Sequence, residues 1–456
     1  MKAIHLRSAV LTAAALSLAG CGSGSDSVLP ATAGTSPVLH RLSGPNALPE
    51  ACRALAAESN PQLVVHEDDP QQISAVYLQD GIIAVVGAAS RDDGQSWARS
   101  PIVDATACAG GPAEREVAVN PLLGSGAAQR VYFGQSFGGT AAHVADQAQG
   151  PWRPAVAVPS PRSENLNLLG SSTDPDRVVA LWTHFETLPG GLPRATELRA
   201  AVSTDNGLSY SPPVVAATTV PGRLIVNGRL ARVAPDQLLA VYDTARLIDL
   251  PLILVASQAL EFQLQAIRSP DGLNWTAPVA LGASRFLPLF DPEGRQTPGV
   301  TCDALGNCEV AGSYKFDLAV GPRGEAAVVW ADLREGDEGV LRMITSADGG
   351  ESWTPPFDAL TRSAPLFQPA VAIDAEGRLG LFWYDWTGDQ PGDEPLSTDA
   401  WFASSTDGGQ RWAIRHLAGP YDLRASYDPR ATYDFLAIGV YQDLVARPDG
   451  FGAAFT

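Results

Sequence analysis

The clearest alternation of apolar and polar positions falls in the last third of the chain. Gln368-Pro-Ala-Val-Ala-Ile-Asp374 predicts an inner strand, Arg378-Leu-Gly-Leu-Phe-Trp-Tyr-Asp385 a second, Ala400-Trp-Phe-Ala-Ser404 a third and Trp412-Ala-Ile-Arg-His-Leu417 an outer one. These segments are short and bounded by Gly, Pro or Asp, as strands joined by tight turns are. No comparable window carries a long helical period, so helix content is expected to be low. Val440–Ala446 and Phe451–Phe455 predict two more strands near the C-terminus, and Val38-Leu-His-Arg-Leu42 one near the start. Such end strands need partners, and pairing with each other would close the fold from both ends.

Between the third and fourth strands of that segment lies a motif that recurs along the chain. Ser90-Arg-Asp92-Asp-Gly94-Gln-Ser-Trp97 returns as Ser203-Thr-Asp205-Asn-Gly207-Leu-Ser-Tyr210, as Ser346-Ala-Asp348-Gly-Gly350-Glu-Ser-Trp353 and as Ser405-Thr-Asp407-Gly-Gly409-Gln-Arg-Trp412. A copy one residue shorter is Ser269-Pro-Asp271-Gly-Leu-Asn-Trp275, and a decayed one runs from Ala145-Asp146 to Gly150-Pro-Trp152. The copies start at 90, 145, 203, 269, 346 and 405, a spacing that suits one four-stranded propeller blade each. The residue types have a mechanical reason. Asp accepts backbone N–H bonds across a hairpin, Gly takes a backbone angle that other residues resist, and the aromatic folds back onto the blade. Repeated turn chemistry explains all copies at once, so these Asp residues are read as turn-builders rather than catalytic or calcium-binding groups.

With these motifs the chain resembles, from about residue 60 to its end, the Asp-box (bacterial neuraminidase repeat) proteins of the sialidase superfamily. The resemblance implies an all-β fold, a single propeller of four-stranded antiparallel blades. Six box-bearing units plus a closing blade give seven, whereas the related enzymes have a six-bladed design, and both counts are carried forward. A sialidase-type mechanism needs an Arg cluster for the substrate carboxylate, a Tyr nucleophile activated by Glu, and an acid/base Asp. Tyr441-Gln-Asp443-Leu444 resembles the segment that carries that nucleophile. The family's first Arg sits in an Arg-Ile-Pro segment opening the first blade, where this chain reads Asn60-Pro61-Gln62-Leu63-Val64-Val65.

Composition narrows the partners. The 456 residues are 45% hydrophobic, enough for a sizeable core, and 44 Gly and 36 Pro suit a turn-rich β protein. A net charge of −19 sets nucleic acid aside, because phosphate binding depends on clustered basic charge. At the N-terminus, Lys2 and Arg7 precede the apolar run Ala9–Leu18, too short to span a bilayer, and Leu18-Ala19-Gly20-Cys21 resembles the lipobox of bacterial lipoproteins. Residues 1–20 are thus expected to be a signal peptide, Cys21 the lipid-bearing residue, and 22–37 a tether to a propeller spanning 38–456. The mature charge becomes −21, and the expected location is the bacterial cell envelope. The remaining cysteines, Cys52, Cys108, Cys302 and Cys308, are even in number, as for disulfides in an exported chain. Cys302 and Cys308 enclose a short loop, which leaves Cys52 with Cys108. The six His are isolated and no Cys-x-x-Cys occurs, so neither metal nor cofactor is expected. Gly134-Gln-Ser136-Phe-Gly138 matches a hydrolase elbow, but that motif works only on a strand-to-helix turn.

In a propeller blade the box lies between the third and fourth strands, and ligands gather on the other face, around the channel. The residues expected there are Trp182, His184 and Glu186; Tyr242, Asp243 and Arg246; Trp330, Asp332 and Arg334; and Tyr384, Asp385 and Trp386, with Arg115 and Lys315 ahead of first strands. Aromatics, carboxylates and Arg together suit an acidic sugar, while the same groups can instead pair with each other or cap loops. Three functions follow: a lipid-anchored propeller binding a glycan or an extracellular or envelope protein, a sialidase-type glycoside hydrolase with Tyr441 as nucleophile, or a structural envelope protein.

Overall fold

In the computed structural model, the described residues are 2–7, 37–44, 58–79, 84–106, 122–135, 140–148, 150–160, 163–187, 193–220, 222–235, 237–246, 260–286, 300–302, 308–310, 316–332, 339–364, 366–390, 397–422 and 442–456. They form four-stranded antiparallel sheets set around a channel, with no α-helix among them. Six sheets are each contiguous in sequence, and a seventh closes the ring with strands from both ends of the chain. The innermost strands are Glu58–His66, Leu122–Gly126, Ser163–Gly170, Arg223–Ala234, Phe316–Val320, Leu366–Ile373 and, in the closing sheet, Asp443–Arg447. Each packs on the next and the last on the first, so the described residues form a ring of seven four-stranded sheets, six contiguous blades and the closing one.

The closing sheet has the order Val38–Arg41, Lys2–Arg7, Gly450–Phe455, Asp443–Arg447. Val38–Arg41 and the two C-terminal strands are the end segments expected to pair. Lys2–Arg7, the segment expected to belong to a leader, forms the strand between them, with Lys2 opposite both Arg41 and Phe455. A hairpin of Val300–Cys302 and Cys308–Val310 lies between the fourth and fifth blades and sets Cys302 opposite Cys308 in register. Among the described residues no helix is long and apolar enough to cross a membrane.

Every copy of the turn motif joins a third to a fourth strand. In the first, the Gly94 amide donates to Ser90 Oγ at 2.7 Å, the Ser96 amide to Asp92 Oδ1 at 2.8 Å, and Trp97 Nε1 to the Gly94 carbonyl at 3.0 Å. The glycine-to-serine bond recurs at Gly207, Gly272, Gly350 and Gly409. The glycines lie at φ between 73° and 87°, where only Gly is unstrained. A Cβ on Gly350 would also come within 2.8 Å of Leu239 in the preceding blade. Hydrogen bonds from Ser96, Ser209 and Ser352 hold Asp92, Asp205 and Asp348 down at about 2, and Arg411 does the same for Asp407. The core fills the spaces between blades. Tyr77, Trp182, Tyr242, Trp330 and Trp383 occupy one place on the second strands of the first and of the third to sixth blades, each fully buried.

Candidate functional site

Antiparallel strands send the turn motifs and the first-to-second connections to one face, and the other connections to the opposite face. The residues expected to meet a ligand there are mostly inside the blades. Tyr242 is fully buried and its hydroxyl donates to Gln265 Oε1 at 2.9 Å. Asp243 accepts the Asn227 amide at 2.7 Å and its side-chain Nδ2 at 2.8 Å. Asp332 lies 3.6 Å from Arg342. Asp385, with no exposed surface, accepts Trp401 Nε1 at 2.9 Å and Trp383 Nε1 at 3.1 Å. Trp386 donates to Thr398 Oγ1 at 3.0 Å and its ring lies 5.2 Å from that of Phe367, tilted by 51°. Internal pairing, the alternative weighed from the sequence, describes these five. Trp182, Trp330 and Tyr384 are core side chains, and His184 Nδ1 meets Ser160 Oγ at 3.3 Å. Glu186 and Arg246 lie on strands opposite Arg194 and Arg223, with side chains outside the described set. Arg115, Lys315, Arg334, Tyr441, Ser136, Cys21, Cys52 and Cys108 lie outside the described residues.

The polar groups that converge are on the innermost strands. Asp443 Oδ2 accepts the Leu63 amide of the first blade at 2.6 Å, and Oδ1 accepts the Leu444 amide at 2.9 Å. Asp317 Oδ2 accepts the Val371 amide of the sixth blade at 2.9 Å, and its Oδ1 lies 3.7 Å from Arg229 Nε of the fourth. Asn167 does likewise, accepting the Leu230 amide at 3.2 Å and donating to the Gly228 carbonyl at 3.1 Å. Three blade junctions are thus clasped by a side chain reaching to the next inner strand. Burial pushes the Asp443 carboxyl up to about 7, the Asp317 charge adds to this, and the Leu63 amide and Arg229 pull the other way. Asp317 is raised too, first by burial, with Arg229 opposing. A carboxyl that keeps its proton near neutrality beside a second carboxylate can exchange protons with a bound molecule. Here both its oxygens also hold backbone amides.

Towards the face opposite the turns, four inner strands carry a bulge at a corresponding step, between Ser59 and Gln62, Glu164 and Asn167, Ile225 and Gly228, and Phe367 and Ala370. Within three of them Asn60, Asn165 and Gln368 sit at φ 51°, 52° and 51°, a left-handed conformation that is uncommon outside Gly. The bulges gather amides: Asn165 Nδ2 donates to the Val226 carbonyl at 2.7 Å, and Gln442 Nε2 to Gln368 Oε1 at 2.9 Å. On the turn face the channel opens into a recess of about 240 Å³ lined by His66, Glu67, Asp68 and Arg232, with Arg232 2.7 Å from Glu67. Among the described residues no group of three or more His, Cys, Asp or Glu could hold a metal ion.

Asp317, Arg229 and the amides of the bulges are absent from the expectation drawn from the sequence. Their signal is a polar residue in an inner strand, as in Lys315-Phe316-Asp317-Leu318 or Asn165-Leu166-Asn167, which alternation alone does not separate from a solvent-facing position. No protein-family profile matches the chain, and no curated protein does. Solved structures match in fold. A PL25 ulvan lyase has 10% identity over 86% of this chain and 88% of its own, with a TM-score of 0.52. The Hadza microbial sialidase Hz136 has 14% identity over 84% and 73%, at 0.42. An α-L-arabinanase of Penicillium chrysogenum, complexed with arabinobiose, has 13% over 72% and 89%, at 0.42. These neighbours are β-propeller enzymes of glycan processing, and at such identities the likeness is one of fold.

Proposed function

We propose that this chain is an envelope-anchored propeller that binds a glycan on the face opposite the repeated turns. The observation that carries the reading is the recurrence of strained, amide-bearing bulges at one end of the channel. Left-handed non-glycine residues cost roughly 1–3 kcal/mol each and persist where the surrounding structure enforces them, often at binding sites. Amides offer donors and acceptors without charge, which suits sugar hydroxyls. Binding is favoured over hydrolysis because Asn60-Pro61-Gln62 stands where the sialidase resemblance would put an Arg. A sialic acid carboxylate would then lack one charge-assisted contact. A glycan array on the purified protein tests binding, and silence across neutral and acidic glycans refutes it.

The second reading, a sialidase-type hydrolase, draws on Asp443, whose raised carboxyl lies two residues from Tyr441. The expected outcome is little or no release from an aryl sialoside and no sharp change on Tyr441→Phe. Turnover like that of a working sialidase, abolished by Tyr441→Phe, would put the hydrolase first.

Anchoring through Cys21 belongs to the same proposal. Cleavage ahead of Cys21 removes the strand Lys2–Arg7, leaving the closing sheet with Asp443–Arg447 and Gly450–Phe455 as its pair nearest the channel. Cys21→Ala is expected to release the protein from membranes or block its maturation. An intact mass that retains residues 1–20 would refute the anchor. The facing positions of Cys302 and Cys308 suit a disulfide, since paired antiparallel residues lie within bridging distance. Peptide mapping of oxidised protein is expected to recover the 302–308 link, and free thiols at both would exclude it.

A further inference from the structure

The repeated turns give a ruler for comparing blades. Four residues before the first position of each copy stand Val86, Ala141, Arg199, Gln265, Arg342 and Trp401 on the third strands. Across the ladder on the outer strands they face Pro101, Ala157, Val215, Ala280, Asp358 and His416. The sixth blade departs from the others. In the third and fifth, this place holds an arginine tied to a carboxylate of its own blade, Arg199 to Glu197 at 2.7 Å and Arg342 to Asp358 at 3.0 Å. In the sixth it holds an indole backed by a histidine, and the guanidinium comes from the fifth blade. Arg362 lies 4.8 Å from the Trp401 ring centre and 5.6 Å from that of Trp383.

The rest of this flank is built around a carboxylate. His416 Nε2 meets Asp399 Oδ1 at 2.6 Å, and its ring meets the Trp401 ring at 5.0 Å and 68°. The ladder breaks register on both sides of Ala400, next to Asp399, and bulges of this kind re-aim side chains. Two glycines leave room for the carboxylate: a Cβ on Gly388 would come within 2.8 Å of Asp399 Oδ2, and one on Gly419 within 2.5 Å of Oδ1. The His416 side chain is 43% exposed. Arg362 Nη2 is buried with no hydrogen-bond partner among the described residues, and its Nε lies 3.6 Å from Asp385. Packing between blades does not require an exposed imidazole held by a carboxylate beside an indole.

We propose that the flank between the fifth and sixth blades is a saccharide-binding site for a neutral pyranose, separate from the channel face. Asp399 accepts from sugar hydroxyls and Trp401 with His416 packs on the C–H face of the ring, while the guanidinium of Arg362 backs the indole from inside. The charges decide between neutral and acidic sugars. Arg362 already lies against Asp385 and His416 against Asp399, so the site carries no excess of positive charge to hold an anion.

Saturation-transfer NMR on the purified full chain, with methyl glucoside, galactoside, mannoside, fucoside and rhamnoside and with glucuronate, tests this. At least one neutral glycoside is expected to give a saturable signal at about 10 mM or below, and glucuronate a weaker one. His416→Ala and Trp401→Phe should weaken binding about tenfold or more, as the loss of an aromatic contact to the sugar ring would. Melting should be unchanged in His416→Ala, and that exposed variant alone decides if Trp401→Phe melts early. Silence across the neutral panel, equal or tighter binding of glucuronate, or unaltered binding in His416→Ala would overturn the proposal. Because neither variant lies on the channel face, glycan binding there would survive both.

Discussion

Asp443 shows how one residue serves a junction and titrates for it. Its carboxyl reaches across to the Leu63 amide, and burial together with Asp317 holds it protonated up to about 7. An acid whose folded pKa is raised destabilises the fold as it ionises. Between about 4 and 7 the unfolded chain has already lost the proton that the native state retains, so stability falls as pH rises through that window. Asp443→Asn, which keeps an acceptor for Leu63, should therefore raise the melting temperature relative to wild type more at pH 8 than at pH 5. A difference independent of pH would show that this carboxyl does not titrate with folding. The turn residues act in the opposite sense and in another window. Asp92, Asp205, Asp348 and Asp407, held at about 2, contribute stability that is lost only as pH falls from about 4 towards 2. Their chemistry was legible in the sequence because each turn brings its own partners within a few residues. Asp443 was legible only as a neighbour of Tyr441, since its partner Leu63 lies 380 positions away.

At the scale of elements, the turns and bulges differ in the same way. A turn built on Ser, Asp and Gly is a local solution, and its repetition marks six blades in the sequence. The aromatic that closes it is a large contribution to packing. Trp412 is 4% exposed and donates to the Gly409 carbonyl at 3.0 Å. Trp412→Ala should cost about 3–5 kcal/mol, lowering the melting temperature while glycan binding persists well below it. Loss of binding at unchanged stability would mean that the turn face carries the ligand. Trp353 is less buried than Trp412, so its removal should cost less. Bulges follow no local rule. Asn60-Pro61, Asn165-Leu166 and Gln368-Pro369 share little sequence beyond an amide, yet adopt the same left-handed step. Five expected ligand contacts, Tyr242, Asp243, Asp332, Asp385 and Trp386, rest on residue type near strand ends. Residue type does not reveal which side chains the next blade will cover.

For the whole molecule, the closing sheet brings the last inner strand against the first and leaves a ring without open inner edges. That arrangement sets an order of events. Contacts within each of the six contiguous blades span a few dozen residues and can form as soon as that stretch of chain is free. The Asp443–Leu63 clasp and the packing of Asp443–Arg447 on Glu58–His66 must wait for the C-terminal segment and bridge nearly the whole chain. Loop closure carries an entropy that grows slowly with length and is repaid only when the contact is made, and non-local pairing slows folding. Until that moment the molecule is an open arc with two bare inner strands at its ends, and an arc's ends can meet those of another copy as readily as each other. The last fifteen residues, 442–456, are thus the latch that decides whether one chain makes one ring, and a chain cut before them would be prone to join its neighbours end to end.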